Sequence, residues 1–250
     1  MTAQLGVQLY SVREDLGPAV LGDTLKRLAG MGFTHVEPYD ILSGTSALHN
    51  AMREAGLAAQ TAHANIVDPE LDRDAIVAAA KQLGIDTIIV PWTEPDSIST
   101  RAGVEALAAA INDAAAFAAP HDIRIGYHNH DFEFSRTIDG APAYDLLVSL
   151  LDESVVLEVD TYWASVGGAD VFELLPRLGK RVRFLHVKTE PPNPPDRVML
   201  GPDISDRQAD VLAVTRDSVE LPIVEAVVHE GDIFPVLRRN AAFFVKEVAA

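Results

Sequence analysis

Tyr127-His128-Asn129-His130-Asp131-Phe132-Glu133-Phe134 places two imidazoles and two carboxylates at the end of an apolar run, Ile123-Arg124-Ile125-Gly126. Titratable groups at the mouth of a buried strand cost free energy unless they are paired or bound to a metal. Three other runs close the same way. They are Val155-Val156-Leu157-Glu158-Val159-Asp160, Val182-Arg183-Phe184-Leu185-His186 and Leu221-Pro222-Ile223-Val224-Glu225. An Asp, a His and a Glu, each ending its own apolar run, point to one convergent site rather than scattered surface charge.

Outward from these runs, strand signals alternate with helical patterns along the whole chain. The strands are expected at 5–12, 34–39, 57–64, 86–92, 123–130, 155–162, 182–189 and 221–228. Helices are expected at 18–31, 45–56, 70–83, 98–119, 141–151, 169–179, 208–217 and 231–248. Gly30, Gly56, Gly84 and Gly179 stand near helix ends, where a left-handed residue is cheap for glycine. The strands are continuous β-branched runs rather than strict alternations, which suits parallel strands covered by helices. About eight βα units in 250 residues predict a closed (β/α)8 TIM barrel, an α/β fold with one domain spanning 1–250. An open doubly wound sheet would carry a glycine-rich phosphate loop after its first strand, and Tyr10-Ser11-Val12-Arg13-Glu14 is not one. Pro191-Pro192-Asn193-Pro194-Pro195 can be neither helix nor central strand, and is expected as a stiff loop over the catalytic face.

Composition narrows the chemistry. A net charge of −17 repels polyanions and argues against nucleic acid as a partner. The absence of cysteine excludes disulfides, thiolate metal sites and a cysteine nucleophile. Met1-Thr2-Ala3-Gln4 leads straight into an apolar strand without a signal peptide, so a cytoplasmic location is expected. The Ala-rich stretch from Val104 to Ala119 is broken by Glu105, Asn112 and Asp113, so it is expected as outer-ring packing rather than a membrane span.

In a barrel the C-terminal ends of the strands converge on one face. Asp160, His186 and Glu225 lie at such ends, and Glu133 lies just beyond the fifth strand. Carboxylate and imidazole ligands with a free position suit one divalent ion: Mn²⁺, Co²⁺, Mg²⁺ or Zn²⁺.

The chain resembles the sugar phosphate isomerase/epimerase family of the xylose isomerase-like barrel superfamily, almost end to end. The resemblance is carried by Gly6-Val7-Gln8-Leu9-Tyr10-Ser11, His35-Val36-Glu37-Pro38, the Tyr127–Phe134 motif, Glu158-Val159-Asp160-Thr161-Tyr162-Trp163, His186-Val187-Lys188 and Ile223-Val224-Glu225. It implies a metal held by Glu133, Asp160, His186 and Glu225, with His128 as the other contender at strand five. His130 then stands near the metal as an acid or base. Two segments depart from the family pattern, both on the substrate side. Thr189 follows Lys188 where Asp is common, and Leu200-Gly201-Pro202-Asp203 replaces a Gly-rich segment.

The expected function is a divalent-metal-dependent isomerase or epimerase of a sugar or sugar derivative, working by proton abstraction beside a carbonyl. Glu133 and Glu225, with His130, are the expected proton carriers. Glu37, His63, His128, Trp163 and Lys188 are expected to face the substrate, although His63 and Trp163 equally suit packing roles. The alternatives are a lyase of an inosose-like keto-polyol, an enzyme acting on 3-keto-glycosides, and a sugar-binding barrel without catalysis. The expected partner is a small sugar, with no nucleic acid and no membrane; a homo-oligomer is open. Tyr10 and Trp92 suit packing or sugar stacking, while His35, His49, His121 and His229 are expected to be structural or solvated.

Overall fold

The computed structural model describes residues 4–187, 207–226 and 231–248. Lys188, the Pro191–Pro195 segment and His229 lie outside them. Eight parallel strands form one sheet: β1 (Gly6–Gln8), β2 (His35–Glu37), β3 (Thr61–His63), β4 (Thr87–Val90), β5 (Arg124–His128), β6 (Val156–Asp160), β7 (Val182–Val187) and β8 (Leu221–Val224). Their order is β2-β1-β8-β7-β6-β5-β4-β3. The two ends meet through a parallel bridge between His35 and Ala58, with Val36 N donating to Ala58 O at 2.8 Å. The sheet is a nearly closed barrel, as the eight βα units predict.

The outer helices are α1 (Leu21–Ala29), α2 (Thr45–Ala55), α3 (Arg73–Leu83), α4 (Arg101–Ala118), α5 (Ala143–Leu150), α6 (Val171–Leu178), α7 (Gln208–Thr215) and α8 (Phe234–Val248). Asp72, Thr100 and Asp170 begin α3, α4 and α6 by accepting bonds from orphan backbone N–H groups. Gly56 and Gly84 end α2 and α3 in the left-handed conformation. Gly30 does not: it stays right-handed, and the positive φ falls on Gly32. Helix α4 is long and apolar enough to cross a membrane, yet its Val104, Leu107, Ala108, Ile111 and Ala118 are buried in the core.

The first strand is shorter than expected. After Gln8 the chain enters a 3₁₀ segment, Leu9–Asp15, because the Gln8 side chain accepts from Tyr10 N and turns it. The sixth strand likewise stops at Asp160, whose side chain caps a short helix, Thr161–Val166. Both turns place the next residues across the mouth instead of extending the wall.

Side-chain alternation sorts the barrel interior into layers. At the N-terminal end Glu220 accepts from Arg124 at 2.8 Å, from Gln60 at 2.6 Å and from Arg183 Nε at 2.7 Å. Above it Ile89, Val156, Phe184, Leu221 and Ile223 form a closed apolar cluster. Gly126 makes room for it: a Cβ there would come within 2.5 Å of Ile89 Cδ1 and 3.0 Å of Val156 Cγ2. Two residues further along each strand the inward face turns polar, with Gln8, Glu37, His63, His128, Glu158 and His186 all buried.

The lower ionic layer should carry stability rather than activity. Glu220→Ala would leave Arg124 and Arg183 facing each other without their carboxylate, an expected loss of about 2–4 kcal/mol in urea denaturation. Hydrogen bonding from Arg124, against some opposing burial, holds the Glu220 carboxyl below its ordinary range. Its contribution is therefore present above the unfolded carboxylate pKa and fades as pH falls through the depressed folded value. The wild-type advantage over Glu220→Ala should shrink in acid.

Candidate active site

The mouth of the barrel is built by strands that each deliver an inward residue at or near their C-terminal end. On β6, Glu158 and Asp160 share one face, two residues apart. A register shift between Leu157 and Glu158 in the β6–β7 pairing re-aims this segment, as bulges beside functional sites do. On β7, His186 sits opposite Asp160. Glu225 follows β8, its neighbour Ala226 held by a backbone bond to Ser11 Oγ at 3.0 Å.

Asn129 explains the polar residue between the two motif histidines. Its amide donates to Asp160 O at 3.1 Å and accepts from Asp160 N at 3.0 Å, clamping β5 to β6. Asp160 Oδ1 accepts from Trp163 N at 2.9 Å, while Oδ2 lies 4.0 Å from His186 Nδ1. His186 Nδ1 is 3.4 Å from Glu225 Oε2, and its Nε2 is 2.8 Å from Glu37 Oε2. Gln8 Nε2 donates to the same Glu37 oxygen at 2.8 Å.

Burial works to raise the Glu37 carboxyl, but His63 and His186 outweigh it and hold the group low. Glu158 moves up instead, through burial and the neighbouring Glu37 charge. His63 and His186 are raised despite burial, because both carboxylates face them.

The structure brings three of the four expected ligands together. Asp160, His186 and Glu225 each offer an atom within 4.8 Å of the others, and all three are buried. Oxygen-rich donors with one imidazole suit a divalent ion, so this chain's residues fit the metal its resemblance implies. Glu133 stands outside this group. The short helix Phe132–Ser135 turns it back, so that Tyr127 Oη donates to Oε1 at 2.7 Å and His130 N donates to Oε2 at 2.9 Å. His128, the other contender, lies beside His186 with ring centroids 4.5 Å apart, and its Nδ1 is 2.9 Å from Glu158.

The expected substrate contacts separate. Glu37 is fully buried and serves His186. His63 Nε2 meets Glu158 Oε2 at 2.7 Å, while its side chain remains 10% exposed at the mouth. Trp163 is half-buried on the helix after β6, tilted 6.2 Å from His130, which itself stacks on Phe132 at 5.6 Å. Trp92 and Tyr10 are exposed, Tyr10 edge-on to Tyr39. His35 is held by Thr34, and His121 packs against Phe117. A groove of about 440 Å³ between the β1 and β2 loops, lined by Leu9, Arg13, Leu16, Pro38, Tyr39 and Leu48 among others, adjoins the mouth without including the clustered His and Glu.

Glu158, Gln8 and Asn129 are the residues that sequence reasoning passed over. The signal for Glu158 was its two-residue spacing from Asp160, which fixes both on the inward face.

Burial pushes the Glu133 carboxyl up to about 7, against its bonds from Tyr127 and His130. A raised acid favours the fold below its unfolded pKa, and that contribution is lost as pH rises through the folded value. Wild-type protein should therefore lose about 2 kcal/mol more than Glu133→Gln between pH 5 and pH 8. Parallel denaturation curves at the two pH values check this.

The chain is a parallel (β/α)8 barrel with buried carboxylates and imidazoles gathered at the C-terminal strand ends, the face on which such barrels build their sites. The chain belongs to the xylose isomerase-like TIM barrel family, whose model matches residues 25–241. No curated protein matches the sequence significantly. Among solved structures, a sugar phosphate isomerase/epimerase from Parabacteroides distasonis is similar over 98% of both chains, with 22% identity and a TM-score of 0.82. A xylose isomerase-like TIM barrel protein from Mycobacterium smegmatis in complex with magnesium covers 99% of this chain and 97% of its own, at 12% identity and a TM-score of 0.70. A D-psicose 3-epimerase, solved in the presence of D-fructose, covers 98% and 99%, at 14% identity and a TM-score of 0.63.

Proposed function

We propose that the chain is a divalent-metal-dependent isomerase or epimerase of a small sugar or sugar derivative. The observation that carries this reading is the convergence of Asp160, His186 and Glu225 from three successive strand ends in a member of this family. Those three residues would hold the ion, with His128 favoured over Glu133 as the contributor from strand five. The ion would supply Lewis-acid polarisation of adjacent substrate oxygens.

The chain's own groups do the rest. Glu225 is a buried carboxylate with 8% of its surface still exposed, and we assign it the proton removed from the carbon beside the carbonyl. His130, aligned by its backbone bond to Glu133 and by its stack on Phe132, is the second carrier, returning a proton from the other side. Trp163 lies beside it and offers a flat face to the C–H side of a sugar ring. Glu37 and Gln8 hold His186 with its Nε2 occupied, which leaves Nδ1 turned to Asp160 and Glu225.

Product analysis by NMR on ketoses, aldoses, inososes and 3-keto-glycosides tests the assignment. Interconversion of epimers or of an aldose and a ketose is expected from cation-loaded protein. Clean loss of water to an alkene would place the chain among the lyases instead. No conversion of any member of the panel would contradict an isomerase.

A further inference from the structure

Beside the mouth runs a cavity that the proposed reaction leaves unused. The loops after β1 and β2 and the first turns of α1 and α2 line a groove of about 440 Å³, within the ~300–1,000 Å³ of small-molecule sites. It starts where the polar layer ends. Gln8 stands opposite Glu37 in the β1–β2 ladder and donates to its Oε2 at 2.8 Å, and the next residues along each strand, Leu9 and Pro38, already line the groove. Leu16, Leu21, Tyr39 and Leu48 continue the lining. Tyr10 meets Tyr39 edge-on, with ring centroids 5.2 Å apart.

Two observations mark the groove as fitted to an apolar group. Tyr10, Val20, Tyr39 and Leu42 are four of the eight large apolar side chains exposed among the described residues, and all four stand on the loops 9–20 and 38–44 that follow β1 and β2. Exposed apolar surface concentrated beside a site marks a binding groove. The charges in the lining, in turn, are already engaged. Among the described lining residues the one cation is Arg13, which donates to Tyr10 O at 3.0 Å, stands 4.5 Å over the Tyr10 ring and lies 3.7 Å from Glu14. The one anion is Asp40, which accepts from Ser43 N at 3.1 Å. A phosphate here would face the Asp40 carboxylate and an arginine held elsewhere.

We infer that the groove takes an apolar substituent of about the size of an aromatic ring, carried by the sugar in the mouth. The substrate is then a sugar derivative bearing such a group, rather than a free monosaccharide or a sugar phosphate. The inference rests on the reading of the mouth as a sugar site and narrows its substrate class. Leu9, Pro38 and Tyr39 would pack on the substituent while the mouth residues hold the ring.

Calorimetric titration of Mn²⁺-loaded protein with matched phenyl and methyl β-glycosides of D-glucose, D-galactose and D-mannose tests it. In at least one pair the phenyl member should bind about 10-fold more tightly or better, because its ring leaves water for the groove. Ala47 lines the groove from the exposed side of α2 and belongs to no part of the mouth. Ala47→Trp should fill the groove, abolish the phenyl advantage and leave the methyl glycoside affinity unchanged. Should that variant fail to fold by circular dichroism, Ala47→Glu takes its place with the same expectations. Equal affinities within every pair, or no binding of any glycoside, would overturn the inference. So would a phenyl advantage that survives substitution of Ala47, since the substituent would then lie elsewhere. A wild-type dimer in sedimentation velocity that Ala47→Trp converts to monomer would make the groove an interface between copies and overturn it as well. A phenyl advantage lost in the Ala47 variant, with no sugar converted in the NMR product analysis, would support the groove and contradict the isomerase reading alone.

Discussion

His186→Ala is expected to abolish divalent-cation binding at the mouth and to destabilise the metal-free protein by about 3–5 kcal/mol. The binding loss follows from its place among the donors. Asp160 and Glu225 remain with His128 beside them, but the imidazole between the two carboxylates is gone, and the set left cannot complete the shell. The stability loss follows from the other ring nitrogen. Glu37 Oε2 loses its 2.8 Å partner and keeps Gln8 and the more distant His63 Nε2 at 3.3 Å, so a fully buried carboxylate is left less well compensated. The barrel should still fold, because the apolar layer of Ile89, Val156, Phe184, Leu221 and Ile223 below is untouched. Calorimetric titration with Mn²⁺ and urea denaturation of the stripped protein measure the two effects. Wild-type affinity for Mn²⁺ in the variant would remove His186 from the site.

Glu225→Gln should lower proton exchange by about 10²–10⁴-fold, even in protein reloaded with cation, because an amide oxygen can still face an ion but cannot take a proton. The readout is deuterium entering the carbon beside the carbonyl of a converted sugar in D₂O. His130 supplies the internal control. If the imidazole rather than Glu225 removes the proton, exchange survives in Glu225→Gln and fails in His130→Asn. The wild-type rate would then fall in acid, where a protonated imidazole can no longer accept the proton. A reaction that proceeds without exchange in any variant would exclude proton abstraction.

The barrel was legible in the sequence because parallel strands buried on both sides are written as apolar runs, and each run ends where its chemistry begins. The convergence of Asp160, His186 and Glu225 was readable for the same reason: a titratable residue closing a buried strand is costly unless a partner or an ion compensates it. Glu133 shows the limit of that rule. It stands five residues past the last strand residue, His128, and distance along the chain does not say whether the turn carries it forward or folds it back. The short helix at Phe132–Ser135 folds it onto Tyr127, a contact that depends on tertiary packing. Gly167 shares in that packing: a Cβ there would approach Asp131 O within 2.4 Å, so the helix after β6 presses on this turn.

Glu158 and Gln8 escaped notice because they are embedded in runs that otherwise look like wall: Glu158 lies two residues before the end of β6, and Gln8 closes a β1 shorter than its run predicts. Strand periodicity was enough to orient them inward. What it could not supply was the partner, since His63 is 95 residues from Glu158 and meets it only once the barrel closes. The lower ionic layer has the same origin. Arg124, Arg183 and Glu220 look like ordinary surface charges at strand starts until three separate strands converge.

Crystals of the protein soaked in Mn²⁺ and measured at the manganese absorption edge test the central claim most directly. An anomalous peak within coordination distance of Asp160, His186 and Glu225 is the predicted result. No peak there, or a peak against Glu133 with those three side chains uninvolved, would contradict it.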